Sequence, residues 1–514
     1  MRDRLVILPT LLILVIVVCA QCASAAEPGR PPTIAGIMQV TGGTDDFQVL
    51  ARDDHDRAVA HVRGRCYPPD GVIEARLLDR GAPVADLDWR KAGEAKDGKW
   101  TAELRDLPVG GPYDLELRLV NPEGIPVSEA TVRHILVGDL WVLAGQSNMQ
   151  GVGKVSELPP PIATVNMFSM DDRWALAREP LHPLFESRDE AHWQGLVPQG
   201  KTREELLPGW RQAVRAPEAQ GVGPGLPFAW ELYRLTHVPI GLIPCARGGT
   251  SLEEWSPAGK GEGGRSLYGA MLRRVAAVGG RVRGVLWYQG ESDANPEASV
   301  TYEKRFLDFV SAVRADLGDP GVPFLYVQIG RFIVPPDKTE AAWDTLREAQ
   351  RLAEMKLEHA AVVPAVDAAL VDLIHLDTAG QMKVGRRLAL EAARELFSRD
   401  DLRRGPRLAE IKTEADRTIV VIRFTDVNGR LRAEGRPTGF SLSDAAGQHL
   451  PLIVRVDLPR ERADTVELRL REALPEGAQL WYARGRDPYV NITDEQDLGM
   501  LALGPVAIPY PAAR

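Results

Sequence analysis

The chain has 514 residues, with 71 Asp and Glu against 62 Lys and Arg, a formal net charge of −9. It is too long for one ordinary core, so about two to four domains are expected, and its acidic balance argues against a nucleic-acid partner. A hydrophobic content of 44% is that of a globular protein.

Residues 1–25 form a separate object. Arg2 and Arg4 give a positive start, Leu5 to Val18 is almost wholly apolar, and Ala23-Ser24-Ala25 supplies a small-residue cleavage site. That order is the pattern of a secretory signal peptide, with the mature chain beginning near Ala26 and the protein secreted or periplasmic. Cys19 and Cys22 fall inside it, and the residues before them, Val18 and Gln21, are not the small ones lipidation needs. No other run is long enough to span a bilayer, so no stable membrane insertion is expected after cleavage. Cys66 and Cys245 then remain. Two cysteines do not make a disulfide framework, and both are read as buried free thiols.

Residues 31–136 read as an N-terminal β-sandwich. Alternating runs recur at Val59–Val62, Val72–Leu77, Trp100–Leu104 and Tyr113–Leu119, separated by Pro69-Asp70-Gly71 and Val109-Gly110-Gly111-Pro112. His55 and His61 fit a solvated strand better than a metal pair.

From 137 to 398 strands alternate with helices, the pattern of a doubly wound α/β domain with a parallel sheet. Candidate strands are Leu140–Ala144, Ile240–Pro244, Gly284–Tyr288, Phe324–Ile329 and Val362–Val366. Candidate helices are Phe228–Leu235, Leu267–Val278, Val300–Leu317, Ala342–Leu357 and Thr378–Phe397, the last capped by Asp377. Residues 151–225 are expected to be irregular, rich in Pro and Gly, with Trp174, Trp193 and Trp210 available to a substrate rim. Residues 405–510 return to alternation, at Thr418–Phe424 and Thr465–Leu470, and read as a C-terminal β-sandwich. Asn491-Ile492-Thr493 is a formal glycosylation sequon.

Four stretches in the α/β region share one position, each after a candidate strand, and ligands of open α/β sheets bind at the strands' carboxyl ends. Gly145-Gln146-Ser147-Asn148-Met149 places a hydroxyl there. Ala246-Arg247-Gly248-Gly249-Thr250-Ser251 offers backbone N–H groups to a developing negative charge. Gln289-Gly290-Glu291-Ser292-Asp293 offers a side-chain amide. Asp372-Leu373-Ile374-His375 sets a carboxylate three residues before a histidine. Each alone is ordinary turn chemistry. Together they supply a nucleophile, donors, a base and an orienting carboxylate, which is a full acyl-transfer set.

Met149 occupies the position of the last glycine in the Gly-x-Ser-x-Gly elbow, so the α/β-hydrolase pattern is not met. The chain instead resembles the SGNH hydrolases, and within them the sialate O-acetylesterase-like carbohydrate esterases. The resemblance lies in Gly138-Asp139-Leu140-Trp141 leading to Gly145–Met149, Gly248-Gly249-Thr250-Ser251 with Trp255, Trp287-Tyr288-Gln289-Gly290-Glu291-Ser292, Asp372–His375, and Trp481-Tyr482-Ala483-Arg484 with Pro488-Tyr489-Val490-Asn491. It covers nearly all of the mature chain and implies an SGNH-type parallel sheet flanked by two β-sandwiches. It further implies Ser147 as nucleophile, His375 as base and Asp372 as its orienter. The oxyanion hole it implies uses the Ser147 N–H, a glycine N–H from Gly248-Gly249 (Gly249 taken first) and Gln289. Gln146, Gly248 and Glu291 stand in support, and no metal or organic cofactor is called for.

The expected function is therefore a secreted serine esterase that removes O-acetyl groups from carbohydrates through an acyl-enzyme. The alternatives are an acetyl esterase on plant or algal polysaccharides, or a catalytically weak glycan-binding protein. The polar, Pro-rich 151–225 stretch shows no acyl-chain tunnel, which disfavours a lipid esterase.

Overall fold

The computed structural model describes residues 36–510 apart from 215, 217, 336, 338 and 400; the expected signal peptide lies outside the described residues. The fold is mixed α/β, with one large mixed sheet and further β-sheets beside it.

One strand organises it. Pro126–Gly145 runs for 20 residues, and its two halves pair differently. The first half pairs antiparallel with Gly110–Val120. Near His134, whose φ is 57°, the register shifts. The second half pairs parallel with Ile240–Pro244 on one side and Gly284–Tyr288 on the other. Leu140–Ala144 is thus the buried end of a much longer element. Its apolar run is continuous because both faces are covered there.

The N-terminal strands pair in the order Ile37–Gly43, Arg57–Tyr67, Lys99–Pro108, Arg90–Lys96, Gly71–Asp79, Gly110–Val120 and Pro126–Gly145. They form one continuous antiparallel sheet rather than the two sheets of a sandwich. The sheet curls until its edges meet, with the Gly36 N–H donating to Val127 O at 3.1 Å. Ala60, Val62, Ile73, Leu77, Trp100, Leu115 and Leu117 fill the inside of the roll. A rolled sheet and a sandwich bury alternate residues equally, so alternation alone does not separate them. His61, exposed, lies beside Glu103 with Nδ1 3.3 Å from Oε2.

The central strands run in the order Trp174–Leu176, Val165–Phe168, Ile240–Pro244, Pro126–Gly145, Gly284–Tyr288, Phe324–Gln328 and Ala360–Pro364. Only Trp174–Leu176 is antiparallel to its neighbour. The helices Gly225–Thr236 and Thr378–Phe397 pack on each other, as do Pro296–Leu317 and Glu340–Glu354. Their apolar faces join the strands in one core that includes Leu143, Phe228, Leu286, Phe309, Leu346 and Leu388.

The 151–225 stretch is more ordered than its composition suggests. Val165–Phe168 adds a parallel strand to the sheet, and Arg203–Ala213 is a helix started by a capping box of Thr202 and Glu205. Both had signals in the sequence, an apolar run and a Thr-x-x-Glu, that the Pro and Gly content obscured.

At the C-terminal end, Arg407–Thr413, Ile419–Thr425, Thr465–Leu470 and Ile453–Asp457 form one antiparallel sheet. His449–Leu450, Phe440–Ser443, Gln479–Tyr482 and Leu503–Ala507 form another. Both contribute to one cluster, which includes Ile422, Val466, Leu442, Leu480 and Tyr482. Within it the sequon's Asn491 is used structurally: its Nδ2 donates to Glu434 O and Arg436 O at 2.7 and 2.8 Å.

Candidate active site

Ser147 follows the end of the long strand. Gly145 has φ 131°, and a Cβ there would sit 2.2 Å from Tyr288 O, so only glycine lets the two strand ends approach this closely. The Gln146 N–H donates to Tyr288 O at 2.8 Å, and Gln146 Oε1 accepts from Gly290 and Ser292 N–H at 3.3 Å each. Ser147 then opens a single helical turn, Ser147–Gln150.

His375 arrives from the turn ahead of the Thr378–Phe397 helix. Asp377 caps that helix through Gly380 N–H at 2.7 Å. Asp372 Oδ1 accepts the N–H groups of Ile374 and His375, both at 2.8 Å. Its Oδ2 lies 2.7 Å from His375 Nδ1, and His375 Nε2 lies 3.0 Å from Ser147 Oγ. An ionised carboxylate only accepts, so Nδ1 carries the hydrogen and Nε2 is free to accept from the serine hydroxyl. Burial would raise the Asp372 carboxyl, but the Ile374 N–H and the His375 ring and N–H outweigh it and hold Asp372 below the usual carboxylate range.

Asn148 ties the two segments together. Its Oδ1 accepts the Leu376 N–H at 3.0 Å, and its Nδ2 donates to Glu291 Oε1 at 2.8 Å and to Ile374 O at 3.4 Å. Glu291 therefore fixes which way the Asn148 amide faces. Burial raises Glu291 above the usual carboxylate range, and its Oε2 is buried without a partner. The sequence reading had not singled out Asn148, although it stands between Ser147 and the apolar Met149 as a polar residue at a strand end.

The glycine pair divides its labour. The Gly248 N–H donates to Gln150 Oε1 at 2.8 Å. Gly249 is exposed with φ 73°, in the left-handed region that favours glycine. Thr250 behind it is pinned, its Oγ1 donating to Arg247 O at 2.8 Å and accepting from Trp255 Nε1 at 3.1 Å.

Gln289 lies elsewhere than expected for an oxyanion donor. It is fully buried, and its two amide hydrogens go to Thr250 O at 3.2 Å and Asp293 Oδ2 at 2.7 Å. Tyr302 Oη donates to its Oε1 at 3.1 Å. Its side chain holds the Gly249–Thr250 loop from behind.

Of the tryptophans, Trp174 is buried against Phe168 and Trp210 packs on Phe185. Trp193 lies beside Gln194, whose carbonyl is held by Arg247 Nη2 at 3.0 Å. Cys245 is fully buried, and burial pushes its thiol up to about 12. Cys66 is half-buried, not buried as expected, because it sits near the end of its strand. Among the described residues no group of three or more His, Cys, Asp or Glu is placed to hold a metal, and no helix is long and apolar enough to cross a membrane. None of these catalytic-region residues lines the 840 Å³ cleft between the Glu340–Glu354 helix and the C-terminal sheets.

The family matched by this sequence is one of carboxylic ester hydrolases. The family model described as "Carbohydrate esterase, sialic acid-specific acetylesterase" matches residues 137–394, and the chain belongs to that family. A protein of Arabidopsis thaliana named "Probable carbohydrate esterase" is 32% identical over 276 residues, covering 49% of this chain and 88% of that protein. Human sialate O-acetylesterase is 26% identical over 236 residues, and the chain spans 40% of its length. The crystal structure of a carbohydrate acetylesterase from Xanthomonas citri covers 91% of this chain and 99% of its own, with a TM-score of 0.61 at 24% identity. That likeness is one of fold.

Proposed function

We propose that this chain hydrolyses O-acetyl esters on carbohydrates, sialate among them, with Ser147 as nucleophile. The observation that carries the reading is the Ser147 Oγ, His375 Nε2 and Asp372 carboxylate series, at 3.0 and 2.7 Å. His375 Nε2 takes the Ser147 proton as Oγ attacks the acetyl carbon. The N–H groups of Ser147 and Gly249 receive the oxyanion; Gly248 and Gln289, whose hydrogens are committed elsewhere, position that loop. The protonated Nε2 then gives its proton to the departing sugar oxygen. Water, deprotonated by the same imidazole, attacks the acetyl-enzyme and releases acetate with Ser147 restored. Asp372 keeps the hydrogen on Nδ1 and stabilises the imidazolium.

The three apolar clusters support a division into units at 31–136, 137–398 and 405–510. The charged start, apolar run and Ala-x-Ala site support export to the periplasm or exterior, with mature material starting near Ala26; N-terminal sequencing from the native host checks it. The functional test is acetate release from acetylated sialic acids and acetylated plant polysaccharides by wild type and Ser147→Ala. Wild type should release acetate, and folded Ser147→Ala should lose essentially all activity. A folded variant that keeps most activity, or a wild type inert on every acetylated sugar, rejects the reading.

A further inference from the structure

The 840 Å³ cleft is lined from the Pro296–Leu317 and Glu340–Glu354 helices and from the C-terminal strands. That volume lies within the range of ligand pockets, about 300–1,000 Å³. Val300, 72% exposed, and Leu352 give it an apolar wall. Asp344 and Arg484 also line it, and among the described residues neither forms an ion pair, with the other or with anything else. Asp344 Oδ1 accepts the Gly485 N–H at 2.7 Å. Arg484 lies over the Trp481 ring at 4.4 Å, and its Nη2 donates to Gly447 O at 2.8 Å. The second Asp344 oxygen and the remaining Arg484 N–H groups have no partner among the described residues and are not sealed from solvent, so both groups are open to the cleft.

Five carboxylates line the cleft, and three of them are answered: Lys356 pairs with Glu303, Arg486 with Asp337 and Arg351 with Glu348. Asp344 and Glu340 are left as acceptors, Glu340 with no side-chain partner among the described residues. Burial pushes the Asp344 carboxyl up to about 6, because the Arg347 charge and the Gly485 N–H offset only part of the lost hydration. Arg484 can only donate, and the exposed His449 ring both donates and accepts. A sugar hydroxyl donates and accepts at once, so it suits this mixture, and the C–H face of the ring suits the apolar wall. An anionic ligand would meet Asp344 and Glu340 with like charge, and a cationic one would meet Arg484. The cleft also begins one short segment from the catalytic turn. The Ile333 N–H donates to Leu373 O at 2.8 Å. Asp337, at the cleft edge, is four steps along the chain from Ile333, a reach of at most about 14 Å.

Resting on the esterase reading above, we propose that this cleft is a second saccharide site, which holds an uncharged, unacetylated stretch of the glycan whose acetyl group lies at Ser147. Hydroxyls of that stretch donate to Asp344 and Glu340 and accept from Arg484, and its rings lie against Val300 and Leu352. The enzyme is thereby suited to oligomers and polymers rather than to single sugars.

The experiment reads binding and turnover separately. Ser147→Ala protein is titrated by calorimetry with xylohexaose, mannohexaose and cellohexaose, and with hexagalacturonate and spermine as charged probes. The same titrations are run with Arg484→Met, Asp344→Asn or Val300→Trp added. At least one neutral hexasaccharide should bind, with the charged probes about tenfold weaker or more. Each cleft substitution should weaken the neutral ligand about fivefold or more. Val300→Trp fills the cleft from an exposed helix position, and it decides should Arg484→Met or Asp344→Asn fail to fold. With Ser147 intact, the same substitutions should lower kcat/KM about fivefold or more on the acetylated form of the hexasaccharide that bound, and leave 4-nitrophenyl acetate within about twofold of wild type. The cleft site is overturned if no neutral hexasaccharide binds, if the folded cleft variants bind it as well as the parent, or if a charged probe binds more tightly. An equal loss on 4-nitrophenyl acetate overturns it too. Hexasaccharide binding that depends on the cleft, with no acetate released by wild type from any acetylated glycan, overturns the esterase reading and leaves the saccharide site standing.

Discussion

Asp372→Asn tests the proposed division of labour most sharply, because the turn itself decides how the new amide must sit. Asp372 uses one oxygen for two backbone N–H groups and the other for the His375 ring. An asparagine has one acceptor. If its NH₂ faced the Ile374 and His375 N–H groups, donors would oppose donors, so the oxygen stays there and the NH₂ turns to Nδ1. The ring must then accept at Nδ1 and carry its hydrogen on Nε2, the wrong tautomer to take a proton from Ser147. In a serine protease the equivalent change lowers kcat about 10⁴-fold. Here the Asp372 side chain is 46% exposed, so solvent already screens part of its charge. We expect a loss of about 10² to 10³, or roughly 3–4 kcal/mol of transition-state stabilisation. Asp377→Asn is the matched control. Asp377 caps a helix through Gly380, and asparagine keeps an acceptor, so about 1 kcal/mol or less of stability and little rate should be lost. The assay is kcat on an acetyl ester, with thermal melts of both variants. Asp372→Asn within about fivefold of wild type, or Asp377→Asn as the catalytic loss, refutes the reasoning.

Three further outcomes follow from the same geometry. Asn148→Ala releases the His375 turn from the nucleophile, and kcat should fall about 10- to 100-fold with KM little changed, while Glu291→Gln, which no longer fixes the Asn148 amide, should cost only a few-fold; unchanged kcat in Asn148→Ala excludes a positioning role. Burial pushes the Glu179 carboxyl up to about 8, against the Leu181 and Gly223 N–H groups that lower it. A raised carboxyl stabilises the fold fully below its unfolded value near 4.5 and loses that contribution as pH rises through about 8, so wild type should lose up to about 1.4 kcal/mol per pH unit relative to Glu179→Gln in that window; parallel melting curves would contradict it. In protein lacking residues 1–25, a thiol reagent should label half-buried Cys66 first and reach Cys245 only on unfolding, measured by mass shift with and without denaturant.

The elements best legible in the sequence were those whose burial is one-sided or complete. Ile240–Pro244, Gly284–Tyr288 and the Thr378–Phe397 helix stand where the apolar pattern put them. Short, fully buried strands bounded by proline or by polar residues, as these two are at Pro239 and at Arg283 and Gln289, leave little ambiguity about their limits. The long Pro126–Gly145 strand is legible only at its end, because its first half is mostly exposed or half-buried without regular alternation and only its second half is buried throughout. The roll was read as a sandwich for a related reason: alternation reports burial, and closure depends on hydrogen-bond partners far apart in the chain. At the site, residue types were legible and their directions were not. Ser147, His375 and Asp372 came together because each sits directly after a strand or before a capped helix. Gln289 did not, because an amide at a strand end serves equally as a donor to substrate or as a tie between loops.

That ambiguity has a physical source, visible behind Gly249. A backbone N–H aimed at a developing charge is useful only if its loop cannot turn away. Gln289 Nε2 holds the Thr250 carbonyl, and Asp293 Oδ2 accepts both that amide and the Leu252 N–H at 2.7 Å. Arg305 Nη2 neutralises Asp293 from the far side at 2.9 Å. Gln350 Nε2 donates to Gln289 O at 3.0 Å, and its Oε1 accepts the Ile329 N–H at 3.0 Å, carrying the same bracing to the next strand end. Every hydrogen of the Gln289 amide is spent inside the protein, and in a low-dielectric interior such satisfied networks are rigid. Polar residues at the carboxyl ends of these strands therefore fall into two groups that composition cannot separate. In the proposed mechanism Ser147 and Gly249 face the acyl group, while Gln146, Asn148, Gln289 and Asp293 never touch it and hold the first group still.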